Sequence, residues 1–157
     1  MADVSVDLEI SAPAERVYDL VADLPRMGEW SSECERVEWI GGAAGPEVGA
    51  RFKGHNRNGR RAWSTHGEVA VADRGREFAF EVRSVLNLPV SRWIYTFAPT
   101  EAGCRVVEST VDRRGWLIRT LGRTATGVAD RTERNRQTMR ETLEALRTAA
   151  EAPAPVR

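Results

Sequence analysis

Two carboxylates in this sequence are the best candidates for proton transfer. Glu108 stands in the apolar run Val106-Val107-Glu108-Ser109-Thr110-Val111, and Glu33 follows Trp30. A carboxyl raised in pKa by apolar surroundings keeps its proton near neutral pH and can exchange it with a bound molecule. The plainer reading makes both surface or rim residues. His55 and His66 could be tried as a metal pair, but the hairpin register derived below sets them on an outer face, offset along the strands. Only Glu68 lies near as a third ligand, so a metal site is rejected. Cys34 and Cys104 lie far apart with no C-x-x-C spacing and read as reduced, packed thiols. The chain has no Gly-rich phosphate loop, nucleophile elbow or paired Cys and His, so no cofactor is implied.

Aromatic residues offer a different chemistry. Trp30, Phe52, Trp63, Phe80, Trp93 and Tyr95 could line a ligand, giving stacking surfaces and an indole N–H or phenol O–H to orient it. Plain core packing is the competing reading. It is preferred for Phe78 and Phe97, and for Trp39 and Trp116 near element ends; for Trp63, Trp93 and Tyr95 the two stand even. Thr65 shares their strand face. On the closing helix, Thr132 and Asn135 interrupt an apolar stripe that includes Met139, where a buried polar group needs a hydrogen-bond partner. A cavity would supply one; a stripe that rotates toward solvent is the alternative. The candidate ligand-binding set is therefore Trp30, Phe52, Trp63, Thr65, Phe80, Trp93, Tyr95, Glu108, Asn135 and Met139.

The elements that must hold these residues follow from periodicity. Val4, Val6, Leu8 and Ile10 alternate with Ser5, Asp7 and Glu9, as in a half-buried strand. Ser11 or Ala12 as cap, Pro13 in the first turn and Val17, Leu20, Val21 and Leu24 at helical spacing predict a helix from Pro13 to Asp23. A turn of helix or loop carries Met27 and Trp30, and a strand follows over 35–40. Asn58-Gly59 predicts a two-residue hairpin pairing Arg57 with Arg60, Gly54 with Trp63 and Phe52 with Thr65. Phe52, Gly54, Trp63, Thr65, Val69 and Val71 then share one face, and Lys53, His55, Ser64, His66 and Glu68 the other. Phe78, Phe80 and Val82, then Trp93, Tyr95 and Phe97, continue the apolar face. For the last strand, about 103–112, the pattern leaves open whether Val106 and Glu108 or Val107 and Ser109 point inward. One long amphipathic helix is predicted over 117–149, loosened near Gly122 and Gly127, where a ligand would pass.

The order is strand, short helix region, about six antiparallel strands, long helix. It predicts an α+β helix-grip: a curved antiparallel sheet of six to seven strands wrapped around one C-terminal helix, with one or two short helices after the first strand. One helix cannot fill so wide a concavity, so a cavity lined by the aromatic face is expected. Residues 1–150 read as one domain and 151–157 as a disordered tail. The 157 residues carry 23 basic and 23 acidic side chains, so no global field draws the chain to nucleic acid or anionic lipid. Arg51, Lys53, Arg57, Arg60 and Arg61 cluster at the hairpin tip, where a charged edge that blocks sheet association explains them better than an acidic partner. With no signal-peptide pattern and no span-length apolar stretch, a cytoplasmic protein without membrane insertion is expected.

The arrangement resembles the START-like helix-grip superfamily, of the polyketide cyclase/dehydrase and lipid-transport (SRPBCC) type. The resemblance rests on Ser11 to Asp23 after the opening strand, on Pro25 to Trp30 followed by Val37 to Ile40, and on Gly49 to Phe52. It continues in Trp93 to Phe97 and in the closing helix from Thr138 to Arg147. It covers nearly the whole chain and implies a buried pocket for a mostly apolar organic molecule, such as a lipid, polyketide or aromatic compound. It implies no invariant catalytic residue. Binding without chemistry is the first functional reading and polyketide aromatase/cyclase the second. A third, an accessory protein acting through its outer face, requires a filled interior. A homodimer stays open.

Overall fold

The computed structural model describes residues 2–153. The chain opens with strand β1 (Val4–Ile10), followed by helix α1 (Ala14–Ala22), a 3-10 turn (Leu24–Arg26) and the short helix α2 (Met27–Trp30). Six strands come next: β2 (Cys34–Ile40), β3 (Arg51–Asn58), β4 (Arg61–Asp73), β5 (Glu77–Ser84), β6 (Pro89–Pro99) and β7 (Cys104–Asp112). Helices α3 (Trp116–Thr126) and α4 (Arg131–Glu151) close the chain. All seven strands form one curved antiparallel sheet in the order β1-β7-β6-β5-β4-β3-β2.

That order puts β1 and β2 on opposite edges, so the segment between them must cross the concave side. α1, the 3-10 turn and α2 make this crossing and close one end of the sheet. Ala14, Val17, Tyr18, Val21 and Ala22 are the buried residues of α1; Val17 and Val21 follow the predicted spacing, whereas Leu20 stays partly exposed and Leu24 falls in the 3-10 turn. Pro13, rather than Ser11 or Ala12, occupies the N-cap, with no side-chain cap bond. α4 packs across β1, α1 and α2, burying Met139, Leu143, Leu146 and Ala150. Its far end is tied to the β1–α1 junction by the Ser11 amide donating to Glu151 Oε1 at 2.8 Å. α4 thus runs through Glu151, where the tail was expected to begin; residues 154–157 lie outside the described residues.

Contacts between rings run from Trp39 through Phe52, Phe80 and Phe78 to Tyr18 and Phe97, edge-to-face except for the tilted Phe78–Phe80 pair. Such pairs add about 0.5–1.5 kcal/mol each beyond the area they bury. Phe52 lies over Gly67, its cross-strand partner, where a Cβ would sit 2.1 Å from the Phe52 ring. Glycine is needed there for the ring to lie flat on the strand.

Four expectations are corrected. The hairpin pairs Arg57 with Ala62, Gly54 with Thr65 and Phe52 with Gly67, with Gly59 and Arg60 at its tip. The displacement is two positions along the partner strand, so the division into faces survives because side chains alternate with period two. A bulge between Val69 and Val71 turns Val71 to the outer face and lets Ala72 pair with Phe78. The long closing helix is two helices: Gly127 caps α3 in the left-handed conformation, φ 71°, and Asp130 starts α4 by accepting the Glu133 amide. Trp116, expected to pack, is 78 % exposed at the start of α3.

Candidate functional site

Between the sheet and the two C-terminal helices lies a cavity of about 430 Å³ with a mostly apolar wall. Phe52, Trp63, Thr65, Phe80, Trp93, Tyr95, Glu108 and Asn135 all face it. Strand alternation explains the grouping: Phe80 pairs with Trp93, Tyr95 with Glu108, and Trp93 with Thr110, so each pair shares the concave face. The two remaining candidates are displaced from the wall. Met139 is fully buried in the packing of α4, and Trp30, the last residue of α2, is buried with its indole N–H unpartnered among the described residues. Their side chains fill the end of the fold that the crossing segment closes.

β7 settles the face that its sequence left open. Val106, Glu108 and Thr110 point inward. Glu108 and Tyr95 are both 2 % exposed, and the Tyr95 hydroxyl donates to Glu108 Oε1 at 2.8 Å. The other carboxyl oxygen, Oε2, is buried with no hydrogen-bond partner among the described residues. Burial pushes the Glu108 carboxyl up to about 8, against a smaller downward pull from the Tyr95 hydrogen bond. Burial first, and then the neighbouring Glu108 carboxyl, push the Tyr95 phenol well above its ordinary value. At neutral pH the pair is therefore a phenol donating to a largely protonated carboxyl, one oxygen of which has no hydrogen-bond partner among the described residues.

Glu33, the other candidate acid, also faces the cavity but is engaged. Arg131 Nη1 lies 2.6 Å and Arg134 Nε 3.5 Å from its two oxygens, and the Arg131 guanidinium sits 5.9 Å from the Trp63 ring centre. This cluster fixes the first turn of α4 to the start of β2. Burial pushes the Cys34 thiol on the same wall up to about 11, which keeps it protonated. His55, which does not line the cavity, sits 3.2 Å from Glu38 and meets Arg36 and Ser64 in a polar network.

Sequence reasoning missed part of the polar wall. Thr138 and Thr142 on α4 and Asn56 on β3 face the cavity with Asn135. Thr132, Asn135, Thr138 and Thr142 recur at spacings of three, three and four, a polar stripe on one helical face that was legible beside the apolar one. The indole N–H of Trp93, a candidate for orienting a ligand, is taken by Ser91 Oγ at 3.0 Å. Val85 and Leu86, in the β5–β6 connection, join Ile118, Leu121 and Gly122 of α3 around the mouth. No spacing rule flags a loop that folds over a cavity.

Solved structures share this architecture. A polyketide-cyclase-like protein, Cgl2372 from Corynebacterium glutamicum, is 30% identical, with 96% of this chain and 90% of that one covered at a TM-score of 0.58. Protein CV1439 from Chromobacterium violaceum is 16% identical over 96% of this chain and 98% of its own, with a TM-score of 0.70. The di-domain aromatase/cyclase StfQ of steffimycin biosynthesis matches 94% of this chain, which spans 44% of StfQ, at 15% identity and a TM-score of 0.67. At the last two identities the likeness is one of fold. No curated protein matches the sequence. The profile of the family described as polyketide cyclase / dehydrase and lipid transport matches residues 1–151, and the chain belongs to that family.

Proposed function

We propose that the chain binds a hydrophobic, oxygen-bearing small molecule, of lipid, polyketide or aromatic type, in the cavity between sheet and C-terminal helices. The single observation that carries this is the free Oε2 of Glu108, buried and unpartnered on the wall of a mostly apolar cavity. An unsatisfied buried acid costs free energy that a carbonyl or hydroxyl of a guest recovers. The apolar wall supplies affinity at about 25 cal/mol per Å², while Glu108, Asn135 and the threonines of α4 select the guest. Family membership supports the same reading.

Native mass spectrometry of protein purified from its own host is expected to show a co-purified apolar compound. Anilinonaphthalene sulfonate, used as a probe, is expected to brighten on binding and to bind more weakly to Trp93→Ala. A probe that binds both forms equally, with no co-purified compound, would remove the proposal.

A second reading is favoured by the near-neutral ionisation of Glu108. In an aldol closure this acid would give its proton to the carbonyl oxygen under attack and regain one from the enol as the carbon–carbon bond forms. The cavity would fold the flexible chain into the reactive conformer. Likeness in fold to the aromatase/cyclase StfQ fits this chemistry. Loss of turnover of a poly-ketone substrate in Glu108→Gln, with retained binding, separates catalysis from binding alone.

A further inference from the structure

The mouth of the cavity carries a surface that the binding function does not explain. Six large apolar side chains stand 37 to 78 % exposed around it: Val85, Leu86 and Leu88 in the β5–β6 connection, and Trp116, Leu117 and Leu121 on α3. None of the eleven residues of α3 is buried, although Trp116, Leu117, Ile118, Leu121 and Ala125 make it amphipathic. The two segments meet at one cavity, since Val85 and Leu86 of the first and Ile118 and Leu121 of the second all line it.

The charge of this rim departs from that of the whole chain. Residues 113–128 hold four arginines and no carboxylate, and residues 82–100 hold Arg83 and Arg92 and no carboxylate; Glu81 and Asp112, just outside these segments, pair with Arg92 at 2.8 Å and Arg114 at 2.7 Å, so the six arginines outnumber the carboxylates beside them. Arg113 and Arg119 reach Glu81 and Asp112 only at 3.4 and 3.7 Å, and both stay half exposed. Arg83 and Arg123 are exposed and pair with no carboxylate among the described residues.

We propose that this rim docks on an anionic lipid bilayer. A short helix with Trp and Leu on one side and Arg on the other is suited to the boundary between headgroups and acyl chains, where the rings and branched chains leave water and the guanidinium groups meet phosphate. The contact is peripheral: among the described residues no helix is long and apolar enough to cross a membrane. An acidic protein would satisfy the arginines alone. A bilayer also covers the apolar side chains on both sides of the opening, and it lets an apolar guest pass between membrane and cavity without crossing water. The proposal goes beyond the binding function, and its test uses protein without added ligand, so the two fail separately.

The experiment is flotation of the full chain with vesicles of phosphatidylglycerol or of phosphatidylcholine. Binding is expected on the first and not on the second, and it is expected to weaken as salt rises. Arg83→Gln and Arg123→Gln are each expected to lower partitioning by about fivefold. Trp116→Ser with Leu88→Ser, two positions outside the cavity wall, is expected to lower it by about tenfold or more with an unchanged melting temperature. Absence of flotation on phosphatidylglycerol overturns the proposal. So does equal partitioning of both double and single variants with the parent. A concentration-dependent dimer that Trp116→Ser abolishes, in protein that ignores vesicles, also overturns it and assigns the patch to a second copy of the chain.

Discussion

Glu108 costs the fold stability wherever it must ionise. Its folded carboxyl titrates near 8 against an ordinary 4.5, so the folded state holds its proton more tightly than the unfolded one. The stability that the bound proton contributes is therefore fully present below about pH 4.5, falls as pH rises between 4.5 and about 8, and is gone above that window. Glu108→Gln is expected to abolish that slope and to leave the protein more stable than the parent at pH 9 by on the order of 3 kcal/mol. Urea unfolding across the pH range reads it; parallel slopes for the two proteins would show that Glu108 is not titrating in the fold. Tyr95→Phe removes the one hydrogen bond that pulls the carboxyl down, so its titration is expected to move higher, as followed by the carboxyl carbon resonance. Where the guest accepts from protonated Glu108, affinity is expected to fall by about tenfold per pH unit above 8, and Glu108→Gln to flatten that dependence. Asn135 faces the same cavity half buried and makes no side-chain hydrogen bond among the described residues. Asn135→Leu is expected to weaken binding of a polar-tipped guest; a more stable protein with unaltered binding would place Asn135 outside the recognition surface.

At the scale of elements, α3 forms part of the cavity wall through Ile118, Leu121, Gly122 and Ala125. It is joined to α4 by a break at Gly127, and the hairpin tip holds that break: Asn58 Nδ2 donates to the Thr126 carbonyl at 2.9 Å. This bond also answers a carbonyl that the end of a helix would leave without a partner. Gly122 sits in the middle of α3 on the cavity mouth, and a Cβ there meets nothing within 4 Å. Gly122→Ala is therefore expected to stiffen α3 by up to about 1 kcal/mol and to slow exchange of a bound fluorescent probe. Unchanged exchange rates, measured by stopped-flow dilution, would show that the guest passes elsewhere. Gly127→Ala is expected to act in the opposite direction, because φ 71° strains a side chain and Arg61 lies 3.0 Å from the new methyl. Its effect should appear as lower protection of α3 amides from hydrogen exchange.

For the whole molecule, the seven-stranded sheet is wider than the closing helices can fill, and the unfilled volume lies where the aromatic faces of β3 to β6 meet the polar stripe of α4. Packing is solid at the other end, where α1, α2 and Trp30 close the sheet and Met139, Leu143 and Leu146 are buried. A guest that binds only the folded state is expected to raise the melting temperature, with about 2.7 kcal/mol of added stability at a free concentration one hundred times its dissociation constant. Because the cavity lies between sheet and helices, that gain should protect α3 and α4 as well as the central strands.

Much of this was legible in the chain itself. Alternation of apolar and polar residues is local and has a fixed period, so β1, the inward faces of β3, β5 and β6, and the helix-grip order follow from it without knowledge of neighbours. The faces even survived a hairpin displaced by two positions, since parity does not depend on register. What depends on register or on distant partners could not be read. Tyr95 and Glu108 are thirteen residues apart and become partners only because β6 and β7 pair. The inward face of β7 was decided by that pairing. Arg131 and Arg134 claimed Glu33 from 98 and 101 positions away, and the turn at Gly127 redirected a stripe whose spacing alone continues through it. Local sequence determined which side chains face together; tertiary structure decided which of them touch, because ionisation and hydrogen bonding depend on a few ångströms that only long-range packing sets.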